Sequence, residues 1–274
     1  MSLKIATYMT TGETLSPTEQ RLHIAALRRR VITTRDAIAH LGNPRAARTA
    51  LVGLARKGYL LRIHRGLYGA VPPEHAGTDY EIDRYIIAER AGRSKGAIGF
   101  HSALELHGAA NAALSMVHYI SAERVGAFSF QEVAYRFVTA DASFGRATIL
   151  RHGVEVTVTD RERTFLDCIR RPDLAGGLEE MLKSLAAFHT VDTRVLGAYL
   201  ARFGERSLNQ RTGVILGLLQ ESLRVPDEFL AGLRTAVGPK TYYLVPKMAR
   251  RSGRLDRDWN VIVPKDLHEA VRGV

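Results

Sequence analysis

The stretch NPRAARTALVGLARKGYLLRIHRGLYGA, residues 43–70, decides how the first part of this chain folds. It opens with Asn43, a residue type preferred at a helix N-cap, and Pro44 suits the first helical position. Glycine commonly ends a helix, and Gly58 stands where the helical spacing of apolar residues stops. The pattern therefore predicts a helix from Pro44 to Gly58.

The two sides of this helix differ in character. At 100° per residue, one side is apolar and is predicted to pack inward, whereas the opposite side is basic and carries no acidic residue. The inward residues are Ala47, Ala50, Leu51 and Leu54, and the outward residues are Arg45, Arg48, Thr49, Val52 and Arg56. An amphipathic helix is by itself no more than a packed helix, so the elements around it decide its meaning.

A β-hairpin is predicted directly after the helix. Its strands are expected over Tyr59–Ile63 and Leu67–Ala70. The segment His64–Gly66 forms the tip, where glycine is free to take a positive φ. Basic side chains on so small a ribbon are typical either of a solvated edge or of a ribbon that contacts phosphates.

The elements before the basic helix decide between those two interpretations. Ser16–Glu19 has the sequence of a capping box with proline at the first helical position, and its helix is predicted to end at Arg28–Arg30. After the extended pair Val31-Ile32, Thr34 is predicted to cap a second helix over Arg35–Leu41. A helix, a short helix, a break, a basic helix and a ribbon follow each other in a winged helix-turn-helix, whose third helix fits the DNA major groove.

The distribution of charge supports a polyanionic partner. The chain has 39 Lys and Arg against 28 Asp and Glu, a net charge of +11. Residues 1–75 hold 12 basic and 4 acidic residues, net +8, whereas residues 76–274 hold 27 and 24, net +3. A small basic segment joined to a nearly balanced one indicates nucleic-acid binding, and solubility alone is the alternative explanation.

Composition excludes several other classes. With 46% hydrophobic and 24% charged residues the chain is globular, and no apolar run is long enough to span a bilayer. The single cysteine, Cys168, excludes an internal disulfide framework and a thiolate metal cluster. Because residues 1–16 also lack the pattern of a signal peptide, the expected location is the cytosol, with no membrane partner.

A second, larger domain is predicted after the winged helix. Residues 71–77 contain proline and glycine and are expected to be a linker, which separates a domain of residues 1–72 from one of residues 78–274. The larger domain mixes helices and strands, so the chain is of the α+β (mixed) class. Its helices are predicted over 79–91, 101–107, 161–171, 177–188, 193–203, 208–223 and 228–237, and its strands over 116–121, 132–139, 147–152, 154–159, 241–245 and 260–263.

Histidines in the larger domain raise the question of a metal site. His101 and Glu105 lie one turn apart on a predicted helix, a spacing that suits two metal ligands. His107 falls on a different face from His101, and His118 is distant in sequence. A helix start that packs inward is therefore the favoured interpretation, and no metal is predicted.

Carboxylates of the same domain raise the question of catalysis, because acid–base and metal chemistry use them. Asp160 stands where an N-cap belongs, Glu162 lies in the first turn, and Arg163 is one turn from Asp167, as in an ordinary ion pair. Cys168 lies in an apolar run and is expected to be buried and inert. Since no phosphate-binding loop or catalytic motif is present, the chain is predicted to be no enzyme and to need no cofactor.

A second basic run spans Lys247–Arg257. A solvated loop is the favoured interpretation. The alternative is a supplementary phosphate contact, which would strengthen the salt dependence of DNA binding without adding sequence readout.

Four segments of the chain resemble a known family. They are the T-x-x-D-A-x-x-x-L-G segment Thr33–Gly42, the segment Arg48–Tyr68, the HSALELHG segment His101–Gly108 and the segment Val158–Glu180. In this order they resemble the AbiEi-type antitoxins of type IV toxin–antitoxin systems, which are transcriptional regulators of viral defence. The resemblance implies a two-domain repressor of its own operon that binds double-stranded operator DNA. It also implies a toxin that resembles a nucleotidyltransferase and need not form a stable complex with the antitoxin.

The residues expected to contact DNA lie in three places. The third helix is expected to face the groove, and Arg48 or Arg45 is the expected guanine reader, because a guanidinium donates twice to one base edge. The groove-facing set is Arg45, Arg48, Thr49 and Arg56, the phosphate-contacting set is Lys57, Arg62, His64 and Arg65, and Thr34 and Arg35 are expected to help position the second helix. Two other functions stay open, a nucleic-acid-processing enzyme with a winged-helix targeting domain and a winged-helix protein-interaction module.

Overall fold

The computed structural model describes residues 14–93, 95–245 and 253–267, and its first part is a winged helix. Its elements are α1 (Pro17–Arg29), β1 (Val31–Thr33), α2 (Thr34–Leu41), α3 (Pro44–Arg56), β2 (Leu60–His64) and β3 (Leu67–Ala70). The strands form an antiparallel sheet in the order β1-β3-β2. The predicted succession of helices and ribbon is confirmed.

Local capping explains where the first two helices begin. Ser16 Oγ accepts from the backbone N–H of Glu19, and the Glu19 carboxylate accepts from the backbone N–H of Ser16, so the predicted capping box is present. The predicted cap of α2 is wrong by one residue, because Thr33 caps it and Thr34 is already helical. Thr33 Oγ1 accepts from the Asp36 N–H at 3.1 Å, and the chain passes directly from β1 into α2.

The third helix and the hairpin are each slightly shorter than predicted. Asn43 caps α3 as expected, but α3 ends at Arg56, and Gly58 takes φ +76° in the connection to β2. The first wing strand begins at Leu60 and includes His64, so the turn at the tip is only Arg65-Gly66. The inward face of α3 closes the core of the winged helix, in which Leu22, Ile32, Ala47, Leu51, Leu54 and Leu60 are buried.

The body follows the winged helix and is built on a mixed six-stranded sheet in the order β6-β7-β5-β4-β9-β8. The pairs β4–β9 and β5–β7 are parallel, and the other neighbours are antiparallel. The strands are β4 (Gly96–Ile98), β5 (Met116–Ser121), β6 (Phe128–Phe130), β7 (Val133–Thr139), β8 (Arg146–Arg151) and β9 (Val154–Thr159). The sequence did not predict β4 or β6, which are three residues long.

Helices cover the sheet and continue into a helical C-terminal part. They are α4 (Arg84–Ala91), α5 (His101–Leu106), α6 (Arg161–Arg170), α7 (Leu178–Ala186), α8 (Thr193–Phe203), α9 (Arg206–Leu218), α10 (Gln220–Leu223) and α11 (Asp227–Thr235), with short 3₁₀ turns at Pro73–His75 and Pro172–Leu174. The predicted helix over 79–91 begins only at Arg84, because Asp83 is its N-cap. The predicted helix over 208–223 is interrupted at Leu219, whose backbone leaves the helical region.

A small sheet ends the described chain. Its strands are β10 (Tyr242–Tyr243), β11 (Gly253–Asp256) and β12 (Val261–Pro264), in the order β10-β12-β11. Of the basic run Lys247–Arg257, residues 247–252 lie outside the described residues. Arg254 and Arg257, at its end, are exposed.

The winged helix packs directly on the body. Val31, Ile63 and Leu67 belong to the same buried cluster as Ile82, which lies just before α4. Gly69 allows β3 to come this close, because a Cβ at that position would lie 1.8 Å from Ile82 Cδ1. The three-stranded sheet of the winged helix thus packs against the body. The division into residues 1–72 and 78–274 stays a prediction.

Candidate nucleic-acid interface

The outward side of α3 is an exposed basic surface. The exposed residues are Arg45, Arg48, Thr49, Val52 and Arg56, as the helical spacing predicts. Val52 is 64% exposed although it is apolar, whereas Leu51 and Leu54 on the other side are at most 1% exposed. The helix therefore offers guanidinium donors and one apolar side chain on a surface that nothing in the described chain covers.

The start of α2 and the tip of the wing form one unit. The backbone N–H of Thr34 donates to the carbonyl of Gly66 at 2.9 Å, and Gly66 takes φ +76° in the turn. A Cβ on Gly66 would lie 3.3 Å from Thr34 Oγ1, so glycine suits this contact as well as the turn. The exposed basic residues of this unit are Arg35, Arg62, His64 and Arg65. The structure thus places the wing residues predicted to contact phosphate next to Thr34 and Arg35, which were predicted separately.

Lys57 has a different environment from the other predicted residues. Its Nζ lies 3.0 Å from Glu19 Oε2 and donates to the carbonyl of Thr14 at 3.2 Å, and its side chain is only 11% exposed. Burial alone would raise the pKa of Glu19, but hydrogen bonds from Ser16 and Lys57 outweigh burial and lower it. Lys57 therefore joins α3 to α1 and does not belong to the exposed basic surface of α3.

The body adds arginines beside the wing that sequence reasoning did not select. A cleft of about 570 Å³ lies between the two, and Arg90, Arg93 and Arg124 line it from the body. The ring of His64 on the wing lies 5.0 Å from that of Phe128, which also lines the cleft. No local motif marks these arginines. Arg90 lies in α4 and Arg93 just after it, whereas Arg124 lies in a loop more than 30 positions later.

His101 and His107, which raised the question of a metal site, are held inside the body. His101 is wholly buried, its Nε2 lies 3.1 Å from Glu180 Oε1, and its Nδ1 lies 3.7 Å from Glu105 Oε1. The Nε2 of His107 is 2.7 Å from the carbonyl of Thr159. Within the described ranges no group of three or more His, Cys, Asp or Glu side chains is arranged to hold a metal ion.

The carboxylates of α6 have the structural roles predicted for them. Asp160 caps the helix by accepting from the Arg163 N–H at 2.8 Å. Arg163 Nε donates to Asp167 at 2.8 Å, and both side chains are at most 2% exposed. Cys168 is fully buried, and burial raises the pKa of its thiol.

Comparison with known proteins bears on the first part of the chain. Residues 20–71, which run from α1 through the wing, match a family model described as "Transcriptional regulator, AbiEi antitoxin". The winged helix thus matches the AbiEi regulator family. The resemblance predicted from the Thr33–Gly42 and Arg48–Tyr68 segments is confirmed there, and the AbiEi match ends before the two body segments that also suggested it.

One solved structure extends the comparison to nearly the whole chain. The crystal structure of the RV2827C protein from Mycobacterium tuberculosis aligns with a TM-score of 0.65 and covers 95% of this chain and 96% of its own. At 14% identity this likeness shows a shared fold, in which the AbiEi-like winged helix and the body occur together. A comparison with curated protein sequences finds no significant match. Among the described residues, no helix is long and apolar enough to cross a membrane.

Proposed function

We propose that this protein is a sequence-specific DNA-binding transcriptional regulator that represses its own operon. The observation that carries the proposal is the outward side of α3, which is exposed, lined with arginines and free of acidic residues, in a segment that matches the AbiEi regulators. A winged helix used only to bind another protein does not require such a surface. A regulator of this kind works on the operator DNA of its operon, so we place it in the cytoplasm.

In this proposal α3 enters the major groove. Arg48 or Arg45 donates two hydrogen bonds to the O6 and N7 atoms of one guanine, and Thr49 and Arg56 contribute further polar contacts. The exposed Val52 is suited to the methyl group of a thymine, because it is apolar and lies among the arginines. These contacts read base sequence, whereas contacts to the backbone set the register of the protein on the duplex.

Backbone phosphates are contacted by the unit made of the wing tip and the start of α2. Arg62, His64 and Arg65 come from the wing, and Arg35 comes from α2, with Thr34 fixed to Gly66 between them. Lys57, which the sequence assigned to phosphate, takes a positioning role in the proposal, because its ammonium already pairs with Glu19.

The antitoxin role rests on the family match alone. We propose a toxin resembling a nucleotidyltransferase as the genetic partner, opposed without a stable complex, and we propose no catalytic activity for this chain. Incubation of the protein with DNA, RNA and magnesium tests the last point, since cleavage or nucleotide transfer would favour the nucleic-acid-processing enzyme.

DNA binding itself is tested by footprinting on the region upstream of the operon, with titrations of the protected duplex and of a shuffled duplex at several salt concentrations. The expected result is one protected site, preference for that site over the shuffled duplex, and affinity that falls with rising salt. Absence of salt-dependent binding to any duplex would overturn the proposal and favour a protein-interaction module.

A further inference from the structure

The cleft between the wing and the body, the wing cleft, is lined by several arginines. The winged helix contributes Thr33–Asp36 and His64–Leu67, and the body contributes the end of α4 and the loop 124–128. Its volume of about 570 Å³ lies within the range of small-molecule sites. Five arginines line it, namely Arg35 and Arg65 from the winged helix and Arg90, Arg93 and Arg124 from the body.

The negative charge available in the wing cleft does not balance these arginines. Among the described residues that line it, Asp36 alone is acidic, and its carboxylate already accepts from the backbone N–H and the hydroxyl of Thr33 at 2.9 and 2.7 Å. Just outside, Glu123 lies 2.6 Å from Lys95 and 3.6 Å from Arg93, so it is shared between two cations.

Of the five arginines, Arg93 alone has a carboxylate within 4.0 Å among the residues that the structure describes. The four without one are Arg35, Arg65, Arg90 and Arg124. The Nε of Arg90 is also buried and hydrogen-bonds to no described group. A buried donor without an acceptor costs free energy, and like charges around one concavity repel. An anion in the wing cleft would remove the repulsion between these like charges.

We infer that the wing cleft binds phosphate groups. Guanidinium groups recognise phosphate by paired, charge-assisted hydrogen bonds, and the arginines of the wing cleft approach from two separate parts of the fold. Two sources supply this chemistry: the backbone of a duplex that extends past the wing, which rests on the proposed function, and a free di- or triphosphate, which does not. In either case the phosphate bridges the winged helix and the body.

The test uses the full chain and a variant that changes only the body wall, Arg90→Gln with Arg124→Gln. The matched control, Arg194→Gln with Arg206→Gln, removes the same charge from exposed positions on α8 and α9. Thermal melting checks that each variant folds. Because Arg90 is partly buried, Arg124→Gln alone is measured as well and keeps the test valid if the double variant does not fold.

One arm of the test measures free phosphate by calorimetric titration with inorganic pyrophosphate and with ATP. The other measures the slope of log affinity against log salt for a duplex longer than the footprint. If the wing cleft binds a free phosphate compound, the wild type should bind pyrophosphate or ATP, and the affinity of the body-wall variant should be lower by tenfold or more. A DNA source predicts a salt slope smaller by about two in the double variant, or by about one in Arg124→Gln, since each phosphate contact contributes about 0.9.

The inference is overturned if the body-wall variants behave like the control in both arms, or if the wild type binds neither pyrophosphate nor ATP nor DNA. Failure of the wild type to bind DNA would count against the proposed function, and the calorimetric arm would still decide whether free phosphate occupies the wing cleft.

Discussion

Lys57 Nζ lies 3.0 Å from Glu19 Oε2, and this ion pair joins the C-terminal end of α3 to the first turn of α1. The same carboxylate accepts from the backbone N–H of Ser16 at 2.8 Å, so it caps α1 and holds α3 at once. Gly53 makes the approach possible, because a Cβ there would lie 2.3 Å from Glu19 Oε1. The orientation of the basic helix is therefore set at its C-terminal end by an acid from another helix.

Replacement of Lys57 by Met is expected to lower stability and to leave DNA affinity nearly unchanged. The variant loses a mostly buried ion pair and leaves Glu19 with one partner fewer, which costs about 1 kcal/mol of unfolding free energy. Urea unfolding and a DNA titration measure the two quantities. Arg65→Ala is the control with the opposite pattern, and a Lys57→Met protein of normal stability that binds DNA as weakly as Arg65→Ala would contradict the positioning role.

Substitutions on α3 and on the wing are expected to differ in their effect on sequence preference. Arg48→Ala should cost about 1–3 kcal/mol on the operator and relax base preference, because it removes contacts to a base edge. Arg65→Ala should weaken binding to operator and shuffled duplex alike and reduce the salt slope by about one. Equal losses on both duplexes for Arg48→Ala would show that Arg48 does not read a base.

Two glycines of α9 are expected to respond in opposite ways to alanine. A Cβ on Gly213 would lie 2.1 Å from ring atoms of Trp259, whose indole is only 3% exposed and cannot yield easily. Gly213→Ala should therefore cost about 1–3 kcal/mol by overpacking. The nearest atom to a Cβ on Gly217 is at 3.9 Å, so Gly217→Ala should gain about 0.5–1 kcal/mol from helix propensity.

Chemical unfolding of both variants checks this pair. The contrast matters because each substitution gains the same intrinsic helix propensity, so their difference reports the contact with Trp259. Similar stabilities for the two variants would mean that Trp259 does not pack closely on α9.

Features that depend on neighbours in sequence could be predicted well. The caps Ser16, Asn43 and Asp160 each act on backbone groups within three residues, and the two sides of α3 follow from helical spacing. Strand β4 was missed because Gly96–Ile98 is three residues long and buried throughout, so it has no alternation. It exists through pairing with β5 and β9, which lie far along the chain.

Some residues of the candidate site could likewise be predicted from sequence, and others could not. The arginines of α3 could be found from sequence, since one periodic helix presents them. The environment of Lys57 could not, because its partner Glu19 lies 38 residues earlier. Arg124 lies in a loop without a motif, and only the packing of the wing on the body brings it near Arg65.

Loss of Arg163 is expected to destabilise the body strongly. Its guanidinium is 1% exposed, donates to Asp167 at 2.8 Å and lies over the rings of Phe144 and Phe203 at 4.1 and 4.6 Å. Arg163→Met leaves the Asp167 carboxylate buried without its cation, which costs about 3–5 kcal/mol. Adding Asp167→Leu should recover a large part of that loss, because the unpaired charge is removed.

A double-mutant cycle by urea unfolding measures this coupling. If the double variant were less stable than Arg163→Met by the full cost of Asp167→Leu alone, the two side chains would act independently and the buried pair would not determine stability.

His118 is expected to make the protein less stable in mild acid. It is 3% exposed, and neither ring nitrogen bonds to a described group. Burial, aided by the charges of Arg136 and His101, lowers the pKa of His118 to about 4, below its ordinary value of 6.5. Between pH 6.5 and 4 the unfolded chain therefore binds a proton that the folded chain does not. Stability consequently decreases as the pH falls, by about 3 kcal/mol over this range.

His118→Phe should remove this contribution, since a phenyl ring is close to imidazole in shape, can keep the contact with the Phe100 ring and does not titrate. Burial also lowers the pKa of His23 and of His107, so the variant still loses some stability in acid. The decisive quantity is the difference in unfolding free energy between variant and wild type, which should shift in favour of the variant as the pH falls from 7 to 4. His40→Gln, on the exposed side of α2, should follow the wild type throughout. A difference between His118→Phe and wild type that is the same at both pH values would mean that His118 takes up its proton as readily in the folded protein as in the unfolded chain.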